Sequence, residues 1–215
     1  NRRGAKFCEE CGFPFRDTLA KEQRKMVTIL FCDLAGSTAL GEHLDPERLS
    51  ALLARYFERM RRIVERYGGT VEKFIGDAVM AVFGVPVVHE DDALRAAHSA
   101  LEMRDALTEL GLQGRIGVMT GEVVTGTEGW LAGDAVNVAA RLEQAAQPGE
   151  VLLGEPTLAL VREAVEVEPV EPLELKGKSK PVPAYRLLRV TEQPERRRDT
   201  RFVGRKRELA TIRAA

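Results

Sequence analysis

No run of apolar residues in this chain of 215 is long enough to cross a bilayer. The longest, residues 78–88, is interrupted by Gly84 and Pro86, well short of the roughly 20 residues a spanning helix needs. A surplus of charge of either sign is also missing. Lysine and arginine total 32 against 33 aspartates and glutamates, a formal net charge of -1, so there is no overall basic field to draw nucleic acid and no acidic tail. Cysteine is scarce: Cys8, Cys11 and Cys32 are too few for a disulfide framework and suit a reducing compartment. Internal repeats, low-complexity tracts and a secretory leader are absent, and the first residue is Asn1 rather than Met. These absences lead to the expectation of a soluble cytoplasmic fragment of a longer chain, with no membrane and no nucleic-acid partner. Its length allows one sizeable core with appendages.

What is present is organised around residues 70–84. Two short apolar runs, 71–75 and 78–83, meet at Gly76-Asp77, a local hairpin signal that would hold Asp77 at the tip and Lys73 on the first strand. Asp is a favoured turn residue, and that explanation competes with a functional one. A second carboxylate in a similar setting shifts the balance. Residues 26–32 form a nearly unbroken apolar run that suits a central buried strand. It leads into Asp33, Leu34, Ala35, Gly36, Ser37 and Thr38, an acid at a strand end followed by a small-residue loop that opens a helix. Backbone N–H groups of such a loop can face an anion, and the carboxylate can bind a hard cation. Asp33 alone could be a cap or turn residue. Two such acids on neighbouring strands would make a two-metal site for phosphoryl transfer.

Residues 1–20 hold one CxxC knuckle, Cys8 and Cys11, half of what a zinc ribbon needs for four thiolates. Cys32 reads as a small core residue. Asp45-Pro46 starts a helix, Leu49 through Tyr67 carry its apolar stripe, and Gly68-Gly69 stops it. Arg55, Arg59, Arg62 and Arg66 line the other side, interleaved with glutamates, and read as a solvated face. His89-Glu90-Asp91-Asp92 has metal-ligand residue types but sits where the next helix begins, so capping is preferred. His43, His89 and His98 share no ligand spacing. Residues 115–120 and 122–125 are expected to form two strands around Gly121. A further helix, 135–146, places Asn137 and Arg141 four apart on one face. An arginine on so apolar a helix wants a carboxylate or a phosphate. Beyond it are expected a strand at 151–153, a helix at 156–165, and closing strands at 167–175 and 183–190. The basic loop from Lys176 to Lys180 between the last two either holds phosphate or is a solvated turn. Residues 191–200 read as a linker, and 201–215 resemble the entry to a nucleotide-binding ATPase domain, without its phosphate-binding loop.

Four stretches, FCDLAGST, VEKFIGDAVMAVFG, GDAVNVAARLE and LKGKSKPVPAYRL, resemble in order the class III nucleotidyl cyclases. They span about residues 26–190, and the resemblance implies a catalytic domain over 21–190. The flanks are similar to an arrangement of zinc ribbon, cyclase and ATPase-type regulatory domain, in which Cys8 and Cys11 bind Zn²⁺ only in the full-length protein. The fold implied is a ferredoxin-like α+β core, a mostly antiparallel sheet flanked by helices, acting as a head-to-tail homodimer with shared active sites. By position, Asp33, Asp77 and the carbonyl of Leu34 would bind two Mg²⁺ or Mn²⁺ ions. Gly36, Ser37 and Thr38 would lie near the triphosphate of ATP. Lys73 would read the purine, Asn137 and Arg141 would orient the ribose and steady the transition state, and Lys176 would bind phosphate, these four serving from the partner subunit.

The implied reaction is closure of ATP to 3′,5′-cyclic AMP and pyrophosphate. The chain departs from the family at Trp130, where Asp or Thr usually meets the adenine amino group. An indole can stack or donate but cannot accept, and Thr127 is a possible substitute. This departure keeps a second reading open, a weak or inactive module that binds nucleotide and regulates an attached ATPase domain. A diguanylate-type cyclase is not supported, as no GG[DE]EF hairpin occurs.

Overall fold

The computed structural model describes residues 23–37, 40–41, 44–125, 131–174 and 181–191. Cys8, Cys11, Thr38, His43, Thr127, Trp130 and Lys176, with the segments 1–20, 192–200 and 201–215, lie outside the described residues.

The apolar run noted at 26–32 belongs to β1 (Gln23–Leu34), whose side chains alternate between two helix layers. Leu30, Cys32 and Leu34 pack under α1 (Pro46–Arg66) and α2 (Asp92–Glu109), through Tyr56, Met60 and Ile63 of the first and Ala96, Ala100 and Met103 of the second. Val27, Ile29 and Phe31 point the other way, toward Ala135 and Ala139 of α3 (Asp134–Ala145). A strand covered on both faces has no polar side to show, which is why its sequence does not alternate.

On one side β1 pairs antiparallel with β3 (Ala78–Phe83), itself in a hairpin with β2 (Thr70–Ile75). On the other side it pairs with β4 (Gly114–Thr125) over its whole length. The sheet runs β2-β3-β1-β4-β6-β8-β7, with β5 (Leu131–Ala132) beside β4. β6 is Val151–Gly154, β7 Val165–Pro169 and β8 Ala184–Val190, and a short α4 (Glu155–Val161) follows β6. Among the described strands only β4 and β6 are parallel; the other pairs are antiparallel. This is the expected ferredoxin-like α+β arrangement. Among the described residues no helix is long and apolar enough to cross a membrane.

Helix α1 begins as its sequence asks. The Asp45 carboxylate accepts from the Glu47 N–H at 3.0 Å and Pro46 takes the first turn, a cap worth about 1 kcal/mol. Arg59, Arg62 and Arg66 close onto Glu109, Glu58 and Glu102 at 3.1, 2.7 and 2.6 Å. At the start of α2, Asp92 is turned back onto His89, accepting its backbone N–H at 2.8 Å.

Three expectations need correction. The two strands around Gly121 are one, since Gly121 sits in register opposite Val27 with no turn. Glycine is there for a close approach: a Cβ at 121 would lie 2.7 Å from the Ala135 side chain, and at 117 it would lie 2.4 Å from backbone atoms of Ala139 and Glu143. The helix expected to reach 165 stops at Val161, because Val165 is taken into the sheet opposite Val190. The strand expected over 167–175 ends at Pro169. Pro169 and Pro172 lack an N–H, and among the described residues the pairing thins to the Val170 N–H on the Ala184 carbonyl at 3.1 Å and the bridge Leu173 to Val182.

The contacts at Gly117 are backbone atoms that cannot rotate away. Gly117→Ala is therefore expected to lift α3 off β4 and cost about 1–3 kcal/mol or more of stability, measured by urea unfolding.

Candidate functional site

Side-chain parity sends Asp33 to the α3 face of the sheet, next after Phe31. The antiparallel register sets Arg115 directly opposite it, and the Arg115 guanidinium donates to Asp33 Oδ2 at 2.6 Å. Because Gly117 lets α3 lie on β4, Glu143 comes down beside the same arginine, with Arg115 Nε 3.5 Å from Glu143 Oε1. That pair is an ion pair without a hydrogen bond, and both atoms are buried and otherwise unsatisfied. Asp77 arrives from the other side, on the two-residue turn between β2 and β3, where Gly76 supplies the positive φ of 62°.

The electrostatics of this cluster are unbalanced. Burial raises the pKa of Asp33, and the neighbouring Asp77 charge raises it further, against the opposing hydrogen bond from Arg115. Glu143 is pushed from the usual 4.5 to about 7, first by burial and then by the negative charge of Asp33, with Arg115 again opposing. One guanidinium thus pairs with two acids, Asp33 and Glu143, while a third, Asp77, adds its charge to both. Among the described residues Asp77 Oδ2 is buried with no hydrogen-bond partner, a costly state for a carboxylate oxygen.

An orphaned carboxylate oxygen beside a second acid fits a divalent cation. Among the described residues no group of three or more His, Cys, Asp or Glu side chains forms a closed cage. That donor set matches an ion of the Mg²⁺ type, which takes one or two carboxylates from protein and completes its shell with water and phosphate oxygens. Leu34, the next residue of β1, is buried. A cavity of about 260 Å³ opens beside Asp77, lined by Leu34, Ser37, Leu49 and Leu53 among others. Gly36 turns the chain with φ 75°, and the Leu40 N–H closes back onto its carbonyl at 3.1 Å, so a helical turn begins where the loop motif put one.

The other expected site residues are elsewhere on the surface. Lys73 is exposed on β2, the edge strand, after a bulge in its pairing with β3. Asn137 and Arg141 are exposed on one face of α3. Arg141 donates to Gln144 at 2.9 Å and pairs with no carboxylate among the described residues. Thr38, Trp130 and Lys176 are outside the described residues. Sequence reasoning missed Arg115 and Glu143. Nothing local marks Arg115, which matters only through its register against Asp33. Glu143 did carry a signal: it follows Ala135 and Ala139 at helical spacing, a charge on the buried stripe.

Residues 19–188 match the family model for the adenylate and guanylate cyclase catalytic domain. The chain is 31% identical over 186 residues to adenylate cyclase 1 of Rhizobium meliloti, covering 78% of this chain and 28% of that one. It is 33% identical over 159 residues to a membrane guanylyl cyclase of Dictyostelium discoideum, covering 71% and 11%. It thus spans under a third of the length of these curated relatives. Among solved structures it resembles the adenylyl cyclase CyaB from P. aeruginosa, with TM-score 0.77 and 32% identity over 80% of this chain and 98% of that one. The guanylyl cyclase Cya2 is similar at TM-score 0.75 and 32% identity, over 81% and 97%.

The raised Glu143 pKa has a stability consequence with a definite sign. Between about 4.5 and 7 the folded state holds a proton that the unfolded state has released, so this group's contribution weakens as pH rises through that window. Glu143→Gln, which fixes the neutral form, is expected to raise the urea midpoint of the metal-free protein at pH 8. The gap over wild type should shrink toward pH 5.

Proposed function

Because the chain belongs to the family of adenylate and guanylate cyclase catalytic domains, we propose that it closes ATP to 3′,5′-cyclic AMP and pyrophosphate, at sites shared between two copies of the chain. The observation that carries this reading is the meeting of Asp33 and Asp77 with an unsatisfied, buried carboxylate oxygen between two strand ends. Two Mg²⁺ or Mn²⁺ ions held by Asp33, Asp77 and the Leu34 carbonyl would supply the Lewis acidity that activates the ribose 3′-hydroxyl and steadies the triphosphate.

The chain's own groups account for the rest. The 3′-oxygen attacks the α-phosphorus in line and the bond to the pyrophosphate oxygen breaks. Little covalent work falls to protein, so positioning and charge dominate. Gly36, Ser37 and Thr38 would turn backbone donors toward the phosphates. Arg115, already held beside the acids, would add a fixed positive charge there. Asn137 and Arg141 are exposed and, among the described residues, neither is hydrogen-bonded or ion-paired to Asp33 or Asp77, which favours their serving a second copy, with Lys73 and Lys176. Asn137 would orient the ribose, Arg141 would donate to the crowded phosphorus centre, and Lys176 would hold phosphate.

The family leaves the base open, since the relatives include both adenylate and guanylyl cyclases. Lys73 is the argument for ATP. An ammonium donates to the unprotonated N1 of adenine, whereas guanine carries a proton there and calls for an acceptor. Trp130 would stack on the base or donate to it. In the full-length protein, Cys8 and Cys11 would complete a Zn²⁺ site with ligands from upstream, and residues 201–215 would open an ATPase-type regulatory domain.

Incubation with ATP and with GTP, in Mg²⁺ and in Mn²⁺, should yield cyclic AMP as the main product. Asp33→Ala or Asp77→Ala should abolish it, and Arg141→Ala should lower the rate by about 10²–10³. A mixture of Asp33→Ala and Arg141→Ala chains should regain part of the activity. ATP binding by calorimetry with no cyclic product in either metal would replace this reading with that of a nucleotide-binding regulatory module.

A further inference from the structure

Tyr56 is completely buried on the face of α1 that packs against the sheet, in a cluster of otherwise apolar side chains. A phenylalanine would fill the same space without burying a hydroxyl, which is costly unless it finds a partner. The partner found is specific. Tyr56 Oη donates to the backbone carbonyl of Asp77 at 3.0 Å. The same oxygen lies 3.9 Å from Cys32 Sγ, on the residue immediately before Asp33. One phenol thus joins the backbone of Asp77 to the side chain of the residue that precedes Asp33.

We propose that Tyr56 is a positioning residue for the acid pair: its hydroxyl pins the Asp77 backbone at the hairpin tip and so sets the separation of the Asp77 and Asp33 carboxylates that a divalent cation must bridge. The inference rests on the cation-binding role proposed above. The tip needs such an anchor. β2 is an edge strand, its pairing with β3 is bulged between Val71 and Lys73, and beyond the last pair, Ile75 with Ala78, only Gly76 and Asp77 remain. Gly76 is exposed and has no atoms within 4 Å of its Cβ direction. Asp33 needs less help, being paired with Arg115 of β4 and following directly on Cys32, whose partner Val79 closes the β1–β3 ladder.

Tyr56→Phe keeps the ring and removes the bond. In the full 215-residue chain, Mn²⁺ titration followed by electron paramagnetic resonance, with and without a non-hydrolysable ATP analogue, should show about threefold to tenfold weaker Mn²⁺ binding. The Mn²⁺ concentration that half-activates turnover should rise by a similar factor, while KM for nucleotide at saturating metal stays near wild type. Ile63→Val, a core change on the same helix away from Asp77, is the control and should leave Mn²⁺ affinity unchanged. A Tyr56→Phe protein that loses stability but titrates Mn²⁺ like wild type would overturn the proposal, as would an equal loss of affinity in Ile63→Val. If wild type shows no Mn²⁺ site that Asp77→Asn removes, the proposal falls together with the cation-binding reading. Unchanged binding in Tyr56→Phe alone leaves that reading intact.

Discussion

Two carboxylates that repel one another are held together by the sheet, and the rest of the site is arranged around that constraint. Asp33 lies at the end of a central strand covered by helices on both faces, and Asp77 sits on the β2–β3 turn beside it. Their mutual charge, added to burial, raises the Asp33 pKa even with an arginine in contact. Nearby acids that could move apart would do so. These stay because β1 is fixed on both sides by ladders to β3 and β4, while α1 reaches over to hold the turn. The chain spends conformational freedom and electrostatic energy to keep an anionic pair in place, which is the arrangement expected of a site completed by a cation.

Helix α3 serves this constraint through its contact with β4. Gly117 and Gly121 remove the side chains that would hold the helix away, so the strand lies against helix backbone at the first and against the Ala135 side chain at the second. The buried face of the helix then delivers Glu143 to the Arg115 that pairs with Asp33. Its exposed face presents Asn137 and Arg141 to solvent. A single rigid helix thus joins the acid cluster of one chain to the surface proposed here to serve a second chain. Any shift of α3 that loosens Glu143 must also move Arg141, because the two are separated by only half a turn.

Much of the architecture was legible in residue order. The unbroken run of β1 announced a strand covered on both faces, and the Gly76-Asp77 break between apolar runs announced the hairpin. Asp45-Pro46 marked the start of α1 and Gly68-Gly69 its end. Where the reading failed, a residue had been given its local meaning when a distant contact decided. Gly121 looked like a turn, yet glycine there answers the Ala135 side chain. Val165 looked like the end of a helix, yet its opposite number in β8 drew it into the sheet.

The sequence by itself determined the element types and placed an acid at each of two chain reversals, because helix, strand and turn preferences act over a few neighbouring residues. Tertiary structure alone decided that Asp33 faces Arg115, that Glu143 lies beside them, and that the Tyr56 hydroxyl lands on the Asp77 carbonyl. These contacts join residues 82, 28 and 21 positions apart. The physical reason is register and packing: which groups meet across a sheet depends on how strands slide against one another and how closely a helix can approach. Both are settled by the whole core at once.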